Sequence, residues 1–254
     1  MTAAQEQPPA LEIANLSHAY GARTALENVN LCVTPGKFTV LLGLNGAGKT
    51  TLMSLVTRLY AVQSGAIKIF GFDIMRQPMF ALRRLGVVFQ ARTLDLELSL
   101  LQNLTYHAAL HGIGASKAKT LSEEALARVN LLARKDDKAR TLSGGLMRQV
   151  EILRALMHGP ALLLLDEPTV GLDIQARAQI LAQLRERVSN DGLSVLWTTH
   201  LIDEISSEDD IIILHQGKVL AKGRCDRIIQ EYHVQTIGEA FAKITASSKE
   251  SLSL

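Results

Sequence analysis

Three glycines, a lysine and a threonine stand together in the run Gly43-Leu44-Asn45-Gly46-Ala47-Gly48-Lys49-Thr50, with the spacing G-x-x-x-x-G-K-[ST]. That spacing suits phosphate chemistry. Glycines let backbone N–H groups turn toward one anion, the lysine adds a point charge for the outer phosphates, and the hydroxyl can serve Mg²⁺. The preceding run, residues 38–42, is apolar and reads as a buried strand. From Thr51 to Leu59, the residues Leu52, Leu55, Val56 and Leu59 share one helical face. The glycines therefore fall between a strand and a helix N-terminus, where amides and helix dipole converge on an anion. This context argues against a plain glycine-rich loop and for a nucleoside triphosphate site.

Two further segments could complete such a site. Leu162-Leu163-Leu164-Leu165-Asp166-Glu167 is four leucines running into two carboxylates. A continuous apolar run suits a central parallel strand covered on both faces, and ligands bind at the C-terminal edge of such strands. Side chains alternate along a strand, so Asp166 and Glu167 are expected to point in different directions. One can hold Mg²⁺ while the other faces the γ-phosphate and orients an attacking water. Leu142-Ser143-Gly144-Gly145 precedes an amphipathic helix with Leu146, Val150, Leu153 and Met157 on one face. Ser143 then sits at a helix N-terminus beside two glycines, which suits either a second anion-binding end or an ordinary cap.

The elements that position these residues follow from the rest of the chain. Its 254 residues can bury a full core. With 27 Lys+Arg against 25 Asp+Glu the net charge is +2, too near neutral to predict nucleic-acid binding. Cys32 and Cys225 form no metal or redox spacing and suit a reducing compartment. The first ten residues are polar, contain Pro8 and Pro9 and do not read as a signal peptide. No apolar stretch approaches the ~20 residues of a membrane helix, so a soluble polypeptide is expected. Strands are expected near 11–16, 29–33, 38–42, 66–70, 87–89, 162–165, 194–198, 211–214 and 218–221, alternating with helices for most of the length. That alternation predicts an α/β fold with a mainly parallel sheet, and the early strands read as an antiparallel hairpin. The segment from about 91 to 141 reads as a helical insertion, and residues 247–254 as a Ser-rich frayed end.

With these motifs in order, the chain resembles the nucleotide-binding subunit of ATP-binding-cassette (ABC) transporters from about Leu11 to Gly223. Gly43–Thr50 matches the Walker A motif, Leu162–Glu167 the Walker B motif and Leu142–Gly145 the family signature. Gln90 falls on the Q-loop glutamine, Val170-Gly171-Leu172-Asp173 on the D-loop and His200 on the switch histidine. Tyr20 lies where the family stacks an aromatic ring on adenine. The resemblance implies a P-loop ABC ATPase core with a helical subdomain inserted. It divides the chain into a tail (1–10), a nucleotide-binding domain (11–222, helical part about 91–141) and a C-terminal helical extension (223–254).

The resemblance further implies ATP and Mg²⁺ as ligands. Lys49 and the loop amides, with Thr51 following, would neutralise phosphates, and Thr50, Gln90 and Asp166 would lie near Mg²⁺. Glu167 would be the general base and His200 would contact the γ-phosphate. Because only one set of motifs is present, a homodimer or a pairing with a similar subunit is implied. Two domains would pack head to tail, so that Ser143, Gly144, Gly145 and Asp173 of one complete the site of the other. An integral membrane permease would be the partner, with membrane contact only through it, no nucleic acid, and a position on the cytoplasmic face of the membrane. Leu44 and Leu146 depart from the commonest proline and glutamine of the family.

The stretch Leu94-Asp95-Leu96-Glu97-Leu98-Ser99, with Asn103-Leu104, resembles type-2 exporter ATPases, as does Glu167 to Asp173. Leu193 to Ile205 is similar to ATPases found with pyrroloquinoline quinone-dependent alcohol oxidation systems. An importer subunit and a soluble cassette ATPase that moves no solute are the competing readings. Other features carry less. His107 and His111, four apart, could share a metal on a helix, but no third ligand is evident and a packed or solvated face is the default. His158, His215 and His233 have no evident partners. Trp197 reads as core, and residues 134–138 as a solvated mixed-charge loop. Ile237, Phe241 and Ile244 have helical spacing and read as packing on the domain, or as dimer contacts.

Overall fold

A computed structural model describes residues 7–250. In order, the chain forms β1 (Leu11–Tyr20), β2 (Arg23–Val33), β3 (Phe38–Leu42), α1 (Lys49–Val56), β4 (Ser64–Ile69), β5 (Phe72–Asp73), α2 (Pro78–Leu82) and β6 (Leu85–Val88). There follow α3 (Leu100–Leu110), α4 (Ala115–Arg128), α5 (Gly144–Leu156), β7 (Leu162–Asp166), α6 (Ile174–Asp191) and β8 (Ser194–Thr199). The last elements are β9 (Asp210–His215), β10 (Lys218–Arg224), α7 (Cys225–Glu231) and α8 (Ile237–Glu250).

Two sheets carry the strands. An antiparallel sheet has the order β2-β1-β4-β5, and a six-stranded sheet the order β10-β9-β3-β8-β7-β6. In the larger sheet β9, β3, β8, β7 and β6 run parallel, with β10 antiparallel to β9 at one edge. β3, β7 and β8 are buried at every residue, as continuous apolar runs in a doubly covered sheet must be. The pleat sorts their side chains. Leu41, Leu164, Leu196 and Ile212 pack with α1 and the antiparallel sheet. Val40, Leu163, Leu165, Val195 and Trp197 pack on the opposite side with α6 to α8. A third core lies among α3, α4 and α5.

Several boundaries differ from the sequence expectation. β1 and β2 extend to Tyr20 and Arg23 because Gly21, at φ 60°, closes a tight hairpin between them. The short β5 was not expected. α1 stops at Val56, so Leu59 is exposed and leaves the apolar face assigned to it. Ala10 is no free tail: it is buried, its N–H donates to the Val33 carbonyl (2.9 Å), and its own carbonyl accepts from Phe70 N–H (3.2 Å). The remainder of that tail, residues 1–6, lies outside the described residues. At the other end α8 runs to Glu250, so the expected fraying does not begin at Ser247; residues 251–254 lie outside the described residues. Ile237 and Ile244 are buried in the core beside α6 and α7, with Phe241 packed against it.

Between β6 and α5 a loop up to Ser99 leads into the helices α3 and α4, with α3 capped by a reciprocal Ser99–Gln102 box and an isolated bridge joining Ser99 to Lys138. The mixed-charge loop there pairs Arg134 with Asp137 (2.8 Å), Lys135 with Glu123 (2.7 Å) and Lys138 with Glu97 (2.9 Å). Such exposed pairs contribute little stability. Among the described residues, no helix is long and apolar enough to cross a membrane.

Candidate nucleotide site

The strand order sets the site. β3, β8, β7 and β6 are successive neighbours and parallel, so their C-terminal ends lie side by side. The glycine loop follows β3, His200 follows β8, Asp166 ends β7 and Gln90 lies two residues past β6. Residues remote in sequence thus meet on one sheet edge, where ligands bind in open α/β sheets.

The loop can only be built from glycine at two points. A Cβ at Gly43 would stand 2.5 Å from the Leu214 carbonyl oxygen, and one at Gly48 2.8 Å from Leu26 Cδ2 and 2.9 Å from the Ala25 oxygen. Gly48 also has φ 110°. As the N-cap of α1 it brings no capping side chain, so the first-turn amides of Lys49, Thr50 and Thr51 are left for a ligand. Asn45 and Gly46 are exposed at the tip, and Ala47 is buried, its carbonyl accepting from Gly217 N–H (2.9 Å).

Lys49 is only 4% exposed. Its Nζ donates to the carbonyls of Gly43 (2.6 Å) and Leu44 (3.2 Å) and lies 3.0 Å from Glu167 Oε1. His200 Nδ1 is 3.4 Å from the same carboxylate oxygen and makes no hydrogen bond in the structure. Glu167 therefore stands between the loop cation and the imidazole. It departs from β7 with φ 44°, a left-handed turn rather than simple strand alternation, and that turn separates it from Asp166. Asp166 is buried, and burial pushes its carboxyl up, opposed by hydrogen bonds from Thr198 and Thr50.

Sequence reasoning missed three supporting groups. Thr198 Oγ1 donates to Asp166 Oδ1 (2.8 Å) and accepts from Glu167 N–H (3.0 Å), so one hydroxyl holds the Asp166 carboxylate and the Glu167 backbone. A threonine within a strand gives no signal of this in the sequence. Arg148, buried on α5, donates to the carbonyls of Phe89 (2.8 Å) and Gln90 (2.8 Å) and pairs with Glu151 (2.7 Å). It ties the helix behind Ser143 to the loop carrying Gln90. His18 and Tyr60 flank Tyr20, whose ring meets theirs edge-on at 4.8 and 5.8 Å.

A cavity of about 950 Å³ opens over the loop, lined by Tyr20, Asn45, Gly46, Gly48 and Lys49 to Thr51, and across from them by Gln90, Glu167 and His200. Ser143, Gly144, Gly145 and Asp173 do not join that lining. Ser143 caps α5, accepting from Leu146 N–H (3.4 Å), and Asp173 caps α6, accepting from Ala176 N–H (2.8 Å). The glycine pair permits close packing: a Cβ at Gly145 would stand 2.8 Å from Ala176 Cβ, and one at Gly144 2.6 Å from Arg92 Nη2.

The donor set fits a triphosphate with Mg²⁺. Backbone amides and a lysine face one end, while the Thr50 hydroxyl, the Gln90 side chain and the Glu167 carboxylate offer hard oxygen ligands; Asp166 lies buried behind that lining. A glycine loop between a central strand and a helix, with carboxylates ending a nearby parallel strand, defines a P-loop nucleotide-binding ATPase. Residues 26–170 match the ABC transporter family. The linearmycin resistance ATP-binding protein LnrL of Bacillus subtilis is 35% identical over 240 residues, 91% of this chain and 77% of that one. The Nod factor export ATP-binding protein I of Rhizobium johnstonii is 31% identical, over 97% of this chain and 78% of that protein. A solved structure of an ATP-binding subunit of an ABC transporter superposes with a TM-score of 0.82 at 30% identity, covering 93% of this chain and 99% of that one. The chain belongs to the ABC transporter family: it is an ATP-binding subunit that hydrolyses ATP to power transport. Subunits of this family dimerise and work with a membrane permease.

Proposed function

We propose that this subunit closes as a head-to-tail pair on ATP and drives an exporter permease from the cytoplasmic face of the membrane. The observation that carries this reading is a split site. Lys49, Glu167 and His200 converge on the cavity, whereas Ser143 and Asp173 cap helices outside it. A second copy can supply its signature glycines to the first, and a two-fold pair makes two identical composite sites. Resemblance of residues 94–104 and 167–173 to type-2 exporter ATPases, with the Nod factor export relative, supports the direction of transport. Similarity of Leu193 to Ile205 to ATPases of pyrroloquinoline quinone-dependent alcohol oxidation systems supports that setting. The motif span supports a division into a nucleotide-binding domain, 11–222, with a helical part at about 91–141, and an extension beyond it.

Each residue then has a role. Loop amides and Lys49 hold the phosphates, and Tyr20 stacks on the adenine. Thr50, Gln90 and Asp166 would hold Mg²⁺, which when bound would neutralise charge on the outer phosphates. Glu167 orients and deprotonates water, and His200 donates toward the γ-phosphate. Lys49 must leave Glu167 for the phosphate, which frees the carboxylate for that water. Positioning and fixed charge account for most of the acceleration.

Glu167→Gln tests the reading. The variant should bind ATP, hydrolyse it at least about a hundredfold more slowly and elute as a dimer with Mg·ATP in size-exclusion chromatography with light scattering. Near-normal turnover, or a monomer at saturating Mg·ATP with the permease present, would refute it. A permease co-purifying with the trapped dimer, and its genetic neighbourhood, would test the exporter and alcohol-oxidation assignments.

A further inference from the structure

His107, on the last turn of α3, and His111, its C-cap, are joined by a third ring that the sequence left unpartnered. His158 follows α5 in the turn before β7 and stacks on His111 with ring centroids 3.8 Å apart and planes 6° from parallel. The His107 and His111 centroids are 4.9 Å apart, and one ring nitrogen from each of the three lies within 4.8 Å of the others. We propose that these three histidines form a binding site for a divalent transition metal, Zn²⁺ being the natural occupant.

His158 carries the argument furthest. Its Nε2 lies 3.1 Å from the Leu85 carbonyl oxygen. A carbonyl can only accept, so Nε2 bears the proton and Nδ1 holds a free lone pair. That Nδ1 is buried and without a hydrogen-bond partner. Fixing the tautomer of a ligand through its far nitrogen is how metal sites orient imidazoles. His107 and His111, at i and i+4, add two nitrogens from one helix face.

Tetrahedral Zn²⁺ needs nitrogens about 3.4 Å apart, set by bonds of about 2.1 Å. The His107 and His158 centroids, 6.2 Å apart, must draw in, and His111, exposed at the end of α3, must turn out of its stack on His158 because an imidazole lone pair lies in the ring plane. Arg83 and Arg84 line the adjoining cavity of about 330 Å³, and Arg154 is occupied by Thr93. Those cations oppose any dication, so selectivity rests on the ligands themselves: neutral imidazoles bind a transition metal and hold hard Ca²⁺ or Mg²⁺ weakly. The bound ion would tie α3 to the α5–β7 turn, and through Leu85 to β6.

Untagged protein, stripped of metal and free of nucleotide, would be titrated with Zn²⁺ against a chromophoric chelator and with Co²⁺ by visible absorption. One equivalent should bind, Co²⁺ should show the absorption of a low-coordinate nitrogen site, and Zn²⁺ should raise the thermal midpoint. His107→Gln and His158→Gln should each weaken binding at least about tenfold, while His233→Asn, at an exposed histidine elsewhere, should not. Thermal midpoints without metal show whether each variant is folded. Absence of stoichiometric binding, unchanged affinity in folded variants, or stabilisation by inorganic phosphate instead of Zn²⁺ would overturn the site.

Discussion

Thr198 holds the Asp166 side chain and the Glu167 backbone at the end of β7. Its hydroxyl donates to Asp166 and accepts from the Glu167 amide, inside a region where neither can turn to water. Thr198→Val keeps the shape and removes the hydroxyl. Asp166 then loses a donor in a buried position, at a cost of about 1–3 kcal/mol. ATPase turnover should fall at least about tenfold, the usual penalty for losing the partner of a site residue. Steady-state kinetics and urea unfolding of the variant check both; unchanged turnover would show that Thr198 only fills the strand. Lys49, Glu167 and their motifs were legible because phosphate binding needs a fixed local spacing of glycine and cation. Thr198 was not, because a strand threonine looks the same whether its hydroxyl supports a carboxylate or merely packs. The sequence expected Asp166 and Glu167 to part by strand alternation; the positive φ of Glu167 does it instead.

At the scale of elements, α5 and the segment after β6 act as one unit through Arg148. Its fork reaches the Phe89 and Gln90 carbonyls, and Glu151 beside it accepts from Thr93 N–H (2.6 Å). Both charges are buried, so Arg148→Ala strands Glu151 and should cost about 3–5 kcal/mol in urea unfolding. Arg148→Lys keeps the charge but loses the fork. It should be nearer wild type in stability, yet show faster amide exchange at residues 89–93 and a raised KM for ATP. Wild-type exchange there would mean that Gln90 is held by other contacts. The amphipathic pattern of α5 was readable from its period, which needs only neighbouring residues. The Arg148 contact was not, since it depends on β6 lying beside α5, and no local pattern encodes that.

For the whole molecule, the two thiols report how the folded chain shields its interior. Cys32 is exposed, whereas Cys225 is buried at the start of α7, and burial, with Asp209 and Asp226 nearby, pushes its thiol up from the usual value. A raised pKa means less thiolate at any given pH. Alkylation should therefore modify Cys32 readily near pH 8 and Cys225 only through opening of the fold, with the gap persisting as pH rises through the ordinary thiol range. Mass spectrometry of native and urea-unfolded protein checks this; equal rates in the native state would mean that α7 opens freely.

The same division separates what each level of description decides. The amino-acid sequence alone determined the glycine loop, the carboxylate-tipped strand and the family, because these rest on spacings within one turn, strand or loop. The tertiary structure alone decided that Glu167 lies between Lys49 and His200, that Arg148 grips the Gln90 backbone and that His158 joins His107 and His111. Those meetings follow from strand order and packing between distant segments, which no local spacing encodes.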